Sequence, residues 1–500
     1  MFLPNCFLLI AGWTRVRLSR YSRQGLCAAM LVVMLLSVQD VHAYSVLTHE
    51  ELIDLTWNSE IVPLLKHKYP NVTQDQLKDA HAYAYGGAVV QDLGYYPFGS
   101  AIFSDFAHYV RTGDFVSNML RDAQDVNEYA FALGALSHYV ADRFGHPMAV
   151  NRAVPIEYPR LRAKYGDVVT YAQDKVSHLR TEFGFDVVQV AKHRYAPESY
   201  HDFIDFKVAK PLLERAFQET YGMPLHQIMP HEDLAIGSYR RAVGSVIPEM
   251  TKVALATRGK QIAAEDHNFN RKKFLYNLSR ADYEKNWGRD YSRPGIGARI
   301  LSFLLRLVPK IGPFKALKYK DPTPATEDLY FKSVNTTLET FKTATQNVAQ
   351  KFDKLSPYDL DTGKPTSAGE YSLTDESYSR WVDRIREDKF AHLTEDVKSN
   401  LLAFYDPATP KLTTRKKHKQ WKDLQENLAA LRAAPVVASA FSATDEQKWS
   451  DERAKQAADD QKQMEDRQNE QDARQKQADD QKKALEMKDS DGKKKSPPPR

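Results

Sequence analysis

The sequence predicts an all-α protein: a helical bundle, an additional helical region and a charged, low-complexity tail. Three observations predict this. Apolar residues recur at steps of three and four in residues 130–140, 168–183 and 203–217. Strand-like alternation is scarce, and no sustained hairpin signal occurs. Turn chemistry separates the periodic stretches at residues 94–97, at 155–159 and around Pro197. Bundled helices that bury one stripe each are the architecture such a pattern supports.

Residues 1–43 read as a leader to be removed before the fold is considered. Arg15, Arg17, Arg20 and Arg23 precede an apolar run over residues 26–38, and Val41-His42-Ala43 ends in a small residue suited to a signal peptidase. The run is short for a membrane span, so cleavage after Ala43 is the expectation and an uncleaved anchor the alternative. Cleavage would make Tyr44 the mature N-terminus and export the protein to a periplasm or the outside. Both cysteines, Cys6 and Cys27, lie in this leader. Any metal bound by the mature chain must then be held by nitrogen and oxygen. The formal charge of +5 falls to +2 once four arginines and Asp40 leave with the leader. That balance gives no reason to expect a stable nucleic-acid complex.

Residues 44–265 form the first predicted domain. From about residue 266 the character changes to charge and asparagine, then to a short apolar segment at residues 300–308 among Arg299, Arg306, Lys310, Lys315, Lys318 and Lys320. A basic amphipathic helix of this kind suits peripheral contact with an anionic membrane, although an ordinary packing helix has the same composition. Helix is expected again over residues 326–355, then a turn-rich link at 359–370, then helix to about 431. The sequence does not give the role of the region 266–443. Residues 444–500 are Gln, Lys, Asp and Glu with few apolar side chains, and Ala458-Asp-Asp-Gln-Lys462 recurs as Ala478-Asp-Asp-Gln-Lys482. Such a tail is expected to be disordered or an isolated, solvated helix.

The chemistry concentrates in the first domain. His138 and Asp142 stand four apart on a predicted helix and so share one face. Gly145 and Pro147 predict the helix end, which places His146 on the exit loop. His178 and Glu182 repeat the four-residue step. Upstream lie His49, Asp92 and His108, mostly in apolar or aromatic surroundings. Any one of these histidines could be a hydrogen-bonded core residue, and a buried His–Asp pair would give the His138/Asp142 spacing without a metal. Together, five imidazoles and three carboxylates suit zinc, and they are too many for one tetrahedral ion.

In this order, Tyr44–His49, Asp92, His108, His138-x3-Asp142, His146 and His178-x3-Glu182 resemble the zinc-dependent phospholipase C and single-strand nuclease superfamily. The resemblance covers residues 44–265 and implies an all-helical domain with three zinc ions. It implies that Asp92, His108, His138 and Asp142 hold one ion, and His146, His178 and Glu182 a second. The main chain of Tyr44, His49 and a bridging Asp142 would hold the third. The step from Tyr44 to His49 is similar to the nuclease branch, whereas Glu182 is similar to the phospholipase branch. The family's usual N-terminal Trp is Tyr here, and the gap from Asp142 to His146 is shorter than the family's.

The resemblance further implies phosphodiester hydrolysis, with a zinc-bridged hydroxide attacking phosphorus and Asp92 and Asp142 in catalytic positions. A phospholipid is the first expected substrate and single-stranded nucleic acid the second. The aromatic run Tyr95-Tyr96-Pro97-Phe98 is compatible with lipid chains, stacked bases or core packing. A non-catalytic helical interaction protein that keeps the fold, and a zinc-stabilised scaffold without turnover, are the other classes the sequence leaves open.

Overall fold

The computed structural model describes residues 46–191, 206–241, 319–350, 354–406 and 418–494. The leader, Tyr44, Pro197, the basic amphipathic stretch at 300–308 and residues 495–500 lie outside the described residues. Among the described residues there is no strand, only an isolated bridge between Tyr358 and Pro365. The protein is all-α, as the periodicity predicted.

The chain enters through α1 (Val46–Thr56), which a π turn at Trp57–Ile61 joins to α2 (Val62–Lys68). Next comes α3 (Gln74–Ala88), begun by Thr73 and Gln76, each side chain accepting the other's backbone N–H. A 3₁₀ turn at Val90–Tyr95 carries Asp92 into α4 (Ala101–Tyr109) and α5 (Thr112–Asp122). The central helix α6 (Val126–Gly145) starts at Asp125, whose carboxylate accepts from the backbone N–H of Asn127 and Glu128. From Tyr129 to Asp142 every residue of α6 is buried, which makes it the axis of the bundle.

The packing of α3 on α6 decides where the site lies. These two helices form the most extensive contact between elements. A Cβ on Gly87 would lie 2.0 Å from the Phe131 carbonyl oxygen, and one on Gly134 would lie 2.1 Å from that of Ala84. Only glycine at both positions lets the backbones approach this closely, and the approach carries the Ala88 carbonyl to the ring of His138.

The expected helix end at Gly145 is not observed. A π turn, His146–Val150, continues directly into α7 (Asn151–Glu157), with Pro155 inside that helix. Pro147 has no N–H to offer Arg143, and one widened turn accommodates the ring without ending the helix. His146 therefore projects from a helical turn, not an exit loop. After α8 (Pro159–Tyr165), residues 168–174 are not helical, contrary to the periodicity. Val169 N–H donates instead to the Asn151 carbonyl at 2.8 Å, and α9 begins at Lys175 and runs to Ala191. Likewise α10 (Lys210–Tyr221) starts late, because the Lys207 N–H is committed to the Ala82 carbonyl. Helix α11 (Glu232–Arg241) follows.

Helix α12 (Pro324–Gln350) lies along α6 and the π turn. It is followed by α13 (Ser372–Glu387), α14 (Glu395–Phe404) and α15 (His418–Ala433). These helices do not form a separate core. Leu360, Trp381, Ile385, Leu401 and Leu428 belong to the same apolar cluster as Phe103, Phe131 and Phe217. Trp381 Nε1 donates to the Tyr221 carbonyl at 2.8 Å.

The tail is the helix α16 (Ala443–Lys494), and its first turns are not isolated. Trp449 is buried and donates to Glu214 at 2.9 Å. Arg453 donates to Glu128, and Asp460 accepts from Lys207 and from the Tyr83 hydroxyl at 2.7 Å each. One tryptophan and a few charges at helical spacing are sufficient to dock a segment whose composition could not form a core.

Candidate metal centre

The structure brings His49, Asp92, His108, His138, Asp142, His146, His178 and Glu182 together around the end of α6. All eight are buried, none more than 4 % exposed. Tyr44 lies outside the described residues; the chain just after it is anchored by Asp186, which accepts from the Leu47 N–H at 3.1 Å and the Thr48 hydroxyl at 2.7 Å.

Asp142 is the hub. Its Oδ1 lies 3.4 Å from His49 Nε2, while its Oδ2 lies 3.1 Å from His138 Nε2 and 3.3 Å from His108 Nε2. Each carboxylate oxygen thus faces a different set of imidazoles, the arrangement a bridging ligand requires. Asp92 Oδ1 approaches His108 Nε2 to 3.5 Å, and the rings of His49 and His138 stack with centroids 4.3 Å apart. On the far side, His146 Nδ1 lies 3.9 Å from Glu182 Oε1, and His178 Nδ1 lies 3.7 Å from the same oxygen. Three groups have ligand atoms that all lie within 4.8 Å of one another: His49/His138/Asp142, Asp92/His108/His138 and His146/His178/Glu182.

Backbone carbonyls fix three of the ring tautomers. His108 Nδ1 donates to the Ser104 carbonyl and His138 Nδ1 to the Ala88 carbonyl, both at 2.8 Å. His178 Nε2 donates to the Val169 carbonyl at 2.6 Å. A carbonyl only accepts, so these nitrogens carry the proton. The other nitrogen of each ring turns a lone pair inward, as a metal ligand must.

The electrostatics are those of a site built around cations. Burial, with Asp142 and Glu182 nearby, pushes the Asp92 carboxyl well above its usual range. Burial pushes Glu182 up to about 7 against the influence of His178. Burial lowers His138 to about 4, so the imidazole is neutral. Both oxygens of Asp92, His146 Nδ1, His178 Nδ1 and Glu182 Oε1 are buried without a hydrogen-bond partner. Buried polar atoms are nearly always satisfied, and a cation at the centre would satisfy these together. The donor set, imidazole and carboxylate without thiolate, fits zinc.

Residues 48–229 match the family model for zinc-dependent phospholipase C. Over these residues the chain is similar to that family. No match was found among curated proteins or among solved structures. The matched residues contain all eight side chains of the centre, and the family they match is a zinc-dependent one.

One carboxylate at the centre was not foreseen. Asp361, in the turn-rich link assigned no chemistry, places Oδ1 3.6 Å from His146 Nδ1 and is buried. Its only signal in the sequence is a pair of acids about Leu360, in Asp359-Leu-Asp361-Thr-Gly363. Nothing in helical spacing connects that turn to the helices it contacts.

Proposed function

We propose that residues 44–265 form a zinc-dependent phosphodiester hydrolase of the phospholipase C type, with three ions and a phospholipid substrate. The observation that carries the reading is the hub at Asp142, where one carboxylate serves imidazoles on both sides while unpartnered acids and ring nitrogens converge around it. The implied division of ligands fits this geometry. Asp92, His108, His138 and Asp142 would hold one ion, His146, His178 and Glu182 a second, and His49, Asp142 and the Tyr44 main chain a third. Zinc, when bound, supplies charge to neutralise a phosphodiester and acidifies a water to make a nucleophile near neutral pH.

The chain's own residues supply position and proton control. The carbonyls of Ser104, Ala88 and Val169 hold the rings so that they cannot rotate away from the centre. Asp92, with no hydrogen-bond partner of its own, is placed to accept a proton from an attacking water or to orient it. Burial excludes bulk water and strengthens every charge at the site.

Export follows in this reading from the leader, with cleavage at Ala43 exposing the Tyr44 amine that the third ion needs. No described helix is long and apolar enough to cross a membrane. Zinc-loaded mature protein assayed on phosphatidylcholine and on single-stranded DNA tests the function. Release of diacylglycerol without nucleotides supports it, and nucleotides without diacylglycerol would assign the nuclease branch. Turnover of neither substrate by protein with its full zinc complement would point to the scaffold, while absence of zinc would point to the interaction protein.

A further inference from the structure

The family segment ends at residue 229, yet the second half of the centre is completed from well beyond it. We propose that Asp361 is a fourth protein ligand of the ion at His146, His178 and Glu182, delivered by the loop between α12 and α13. The proposal rests on the zinc reading above.

Asp361 Oδ1 is buried and without a hydrogen-bond partner, and so is His146 Nδ1, 3.6 Å away. That separation is too long for a hydrogen bond between them. It is close to the spacing of two ligands on one ion, and Asp361 meets the centre at His146, while the group whose ligand atoms lie within 4.8 Å of one another is His146/His178/Glu182. Atoms about 2.0–2.2 Å from a tetrahedral zinc lie about 3.3–3.6 Å from one another. The neighbouring pairs, His146 with Glu182 at 3.9 Å and His178 with Glu182 at 3.7 Å, are only slightly wider.

The loop is built to present this one oxygen. The other oxygen of Asp361 accepts from the Tyr171 N–H at 3.2 Å and from the Tyr371 hydroxyl, so the carboxylate cannot turn. Asp359 shapes the turn by accepting from the N–H groups of Asp361 and Thr362 at 3.0 and 2.9 Å. Leu360 N–H donates to the carbonyl of His108, itself at the centre, and Asn151 Nδ2 donates to the Asp361 carbonyl at 2.8 Å. Gly363 sits at φ +69°, where a Cβ would be 2.6 Å from the Arg143 carbonyl oxygen. These ties hold the loop against α4, the end of α6 and the start of α7 around the ligands.

Four protein ligands close a zinc position, whereas a catalytic zinc keeps one place open. Asp361 would bring the His146/His178/Glu182 position to four protein ligands, the number already assigned to the ion at Asp92, His108, His138 and Asp142. The additional helical region thereby becomes part of the metal centre.

The test uses the full chain, wild-type and D361N, in zinc-loaded and metal-free form. Wild-type protein is expected to retain its zinc against a chelator, while D361N gives up one ion at least about 10-fold more readily. The rise in melting temperature on zinc loading should shrink in D361N, while the metal-free proteins melt together. Anomalous diffraction from zinc-loaded wild-type crystals should place an ion about 2.0–2.2 Å from an Asp361 oxygen. Equal zinc retention by both proteins, or an ion well beyond bonding distance of Asp361, overturns the proposal. H178A is the control and must lose the same ion. If wild-type protein binds no zinc at all, it is the zinc reading that fails, and the two failures are distinguishable.

Discussion

The two halves of the centre are held by different means. Around Asp142, His138 comes from α6 itself, His49 and Asp92 from elements packed directly on it, and His108 from α4. The glycine-mediated contact of α3 with α6 sets the depth of that half. Around Glu182, His146 comes from a π turn, His178 from α9, and Asp361 from the loop between α12 and α13. The first half is a local product of helix packing. The second depends on a distant segment being in place, so the two should respond differently to the same kind of damage.

The largest expected effect breaks the centre at its hub. Asp142→Ala removes the carboxylate shared by imidazoles on both sides, and should lower zinc content by more than one ion and activity by about 100-fold or more. Metal analysis with phosphodiesterase assays checks this; a loss confined to one ion would mean the halves do not share Asp142. Trp449→Ala undocks the tail helix and should cost about 3–5 kcal/mol of stability in denaturant titration. Zinc content of the folded variant should not change. A change in zinc would show that the tail supports the centre as the 354–371 loop does.

A finer comparison comes from Gly363→Ala, which forces a Cβ into the left-handed region and against the Arg143 carbonyl. It should cost about 1–3 kcal/mol and weaken zinc only at the His146 side, read as faster release of a single ion to a chelator. The smallest effect is one of pH. Burial raises Glu157, beneath α9, from 4.5 to about 7. The folded state therefore keeps a proton that the unfolded chain has lost, and this group makes stability fall as pH rises between those values. Glu157→Gln should flatten that part of the stability profile; an unchanged slope would show that Glu157 ionises alike in both states.

Much of the centre was legible in the residues themselves. The four-residue steps His138/Asp142 and His178/Glu182 put each pair on one helix face, because i and i+4 are neighbours there. The π turn was not legible, since a proline predicts an ending as readily as a widened turn, and the start of α9 was displaced by a single backbone bond to Asn151. Asp361 was illegible for a stronger reason. Its bonds to Tyr171 and Asn151 span 190 and 210 residues, and periodicity reports only what lies within a few turns.

By itself the sequence determined the all-helical class, the absence of thiolate ligands once the leader is set aside, and the set of imidazoles and carboxylates on helix faces. These follow from local chemistry: propensity, spacing and side-chain type. Tertiary structure alone decided which carbonyl fixes each ring, which oxygen of Asp142 faces which histidine, and that Asp361 joins the second half. Those depend on where distant backbones cross, and the crossings are set by close packing of the whole bundle, down to the absence of a Cβ at Gly87 and Gly134.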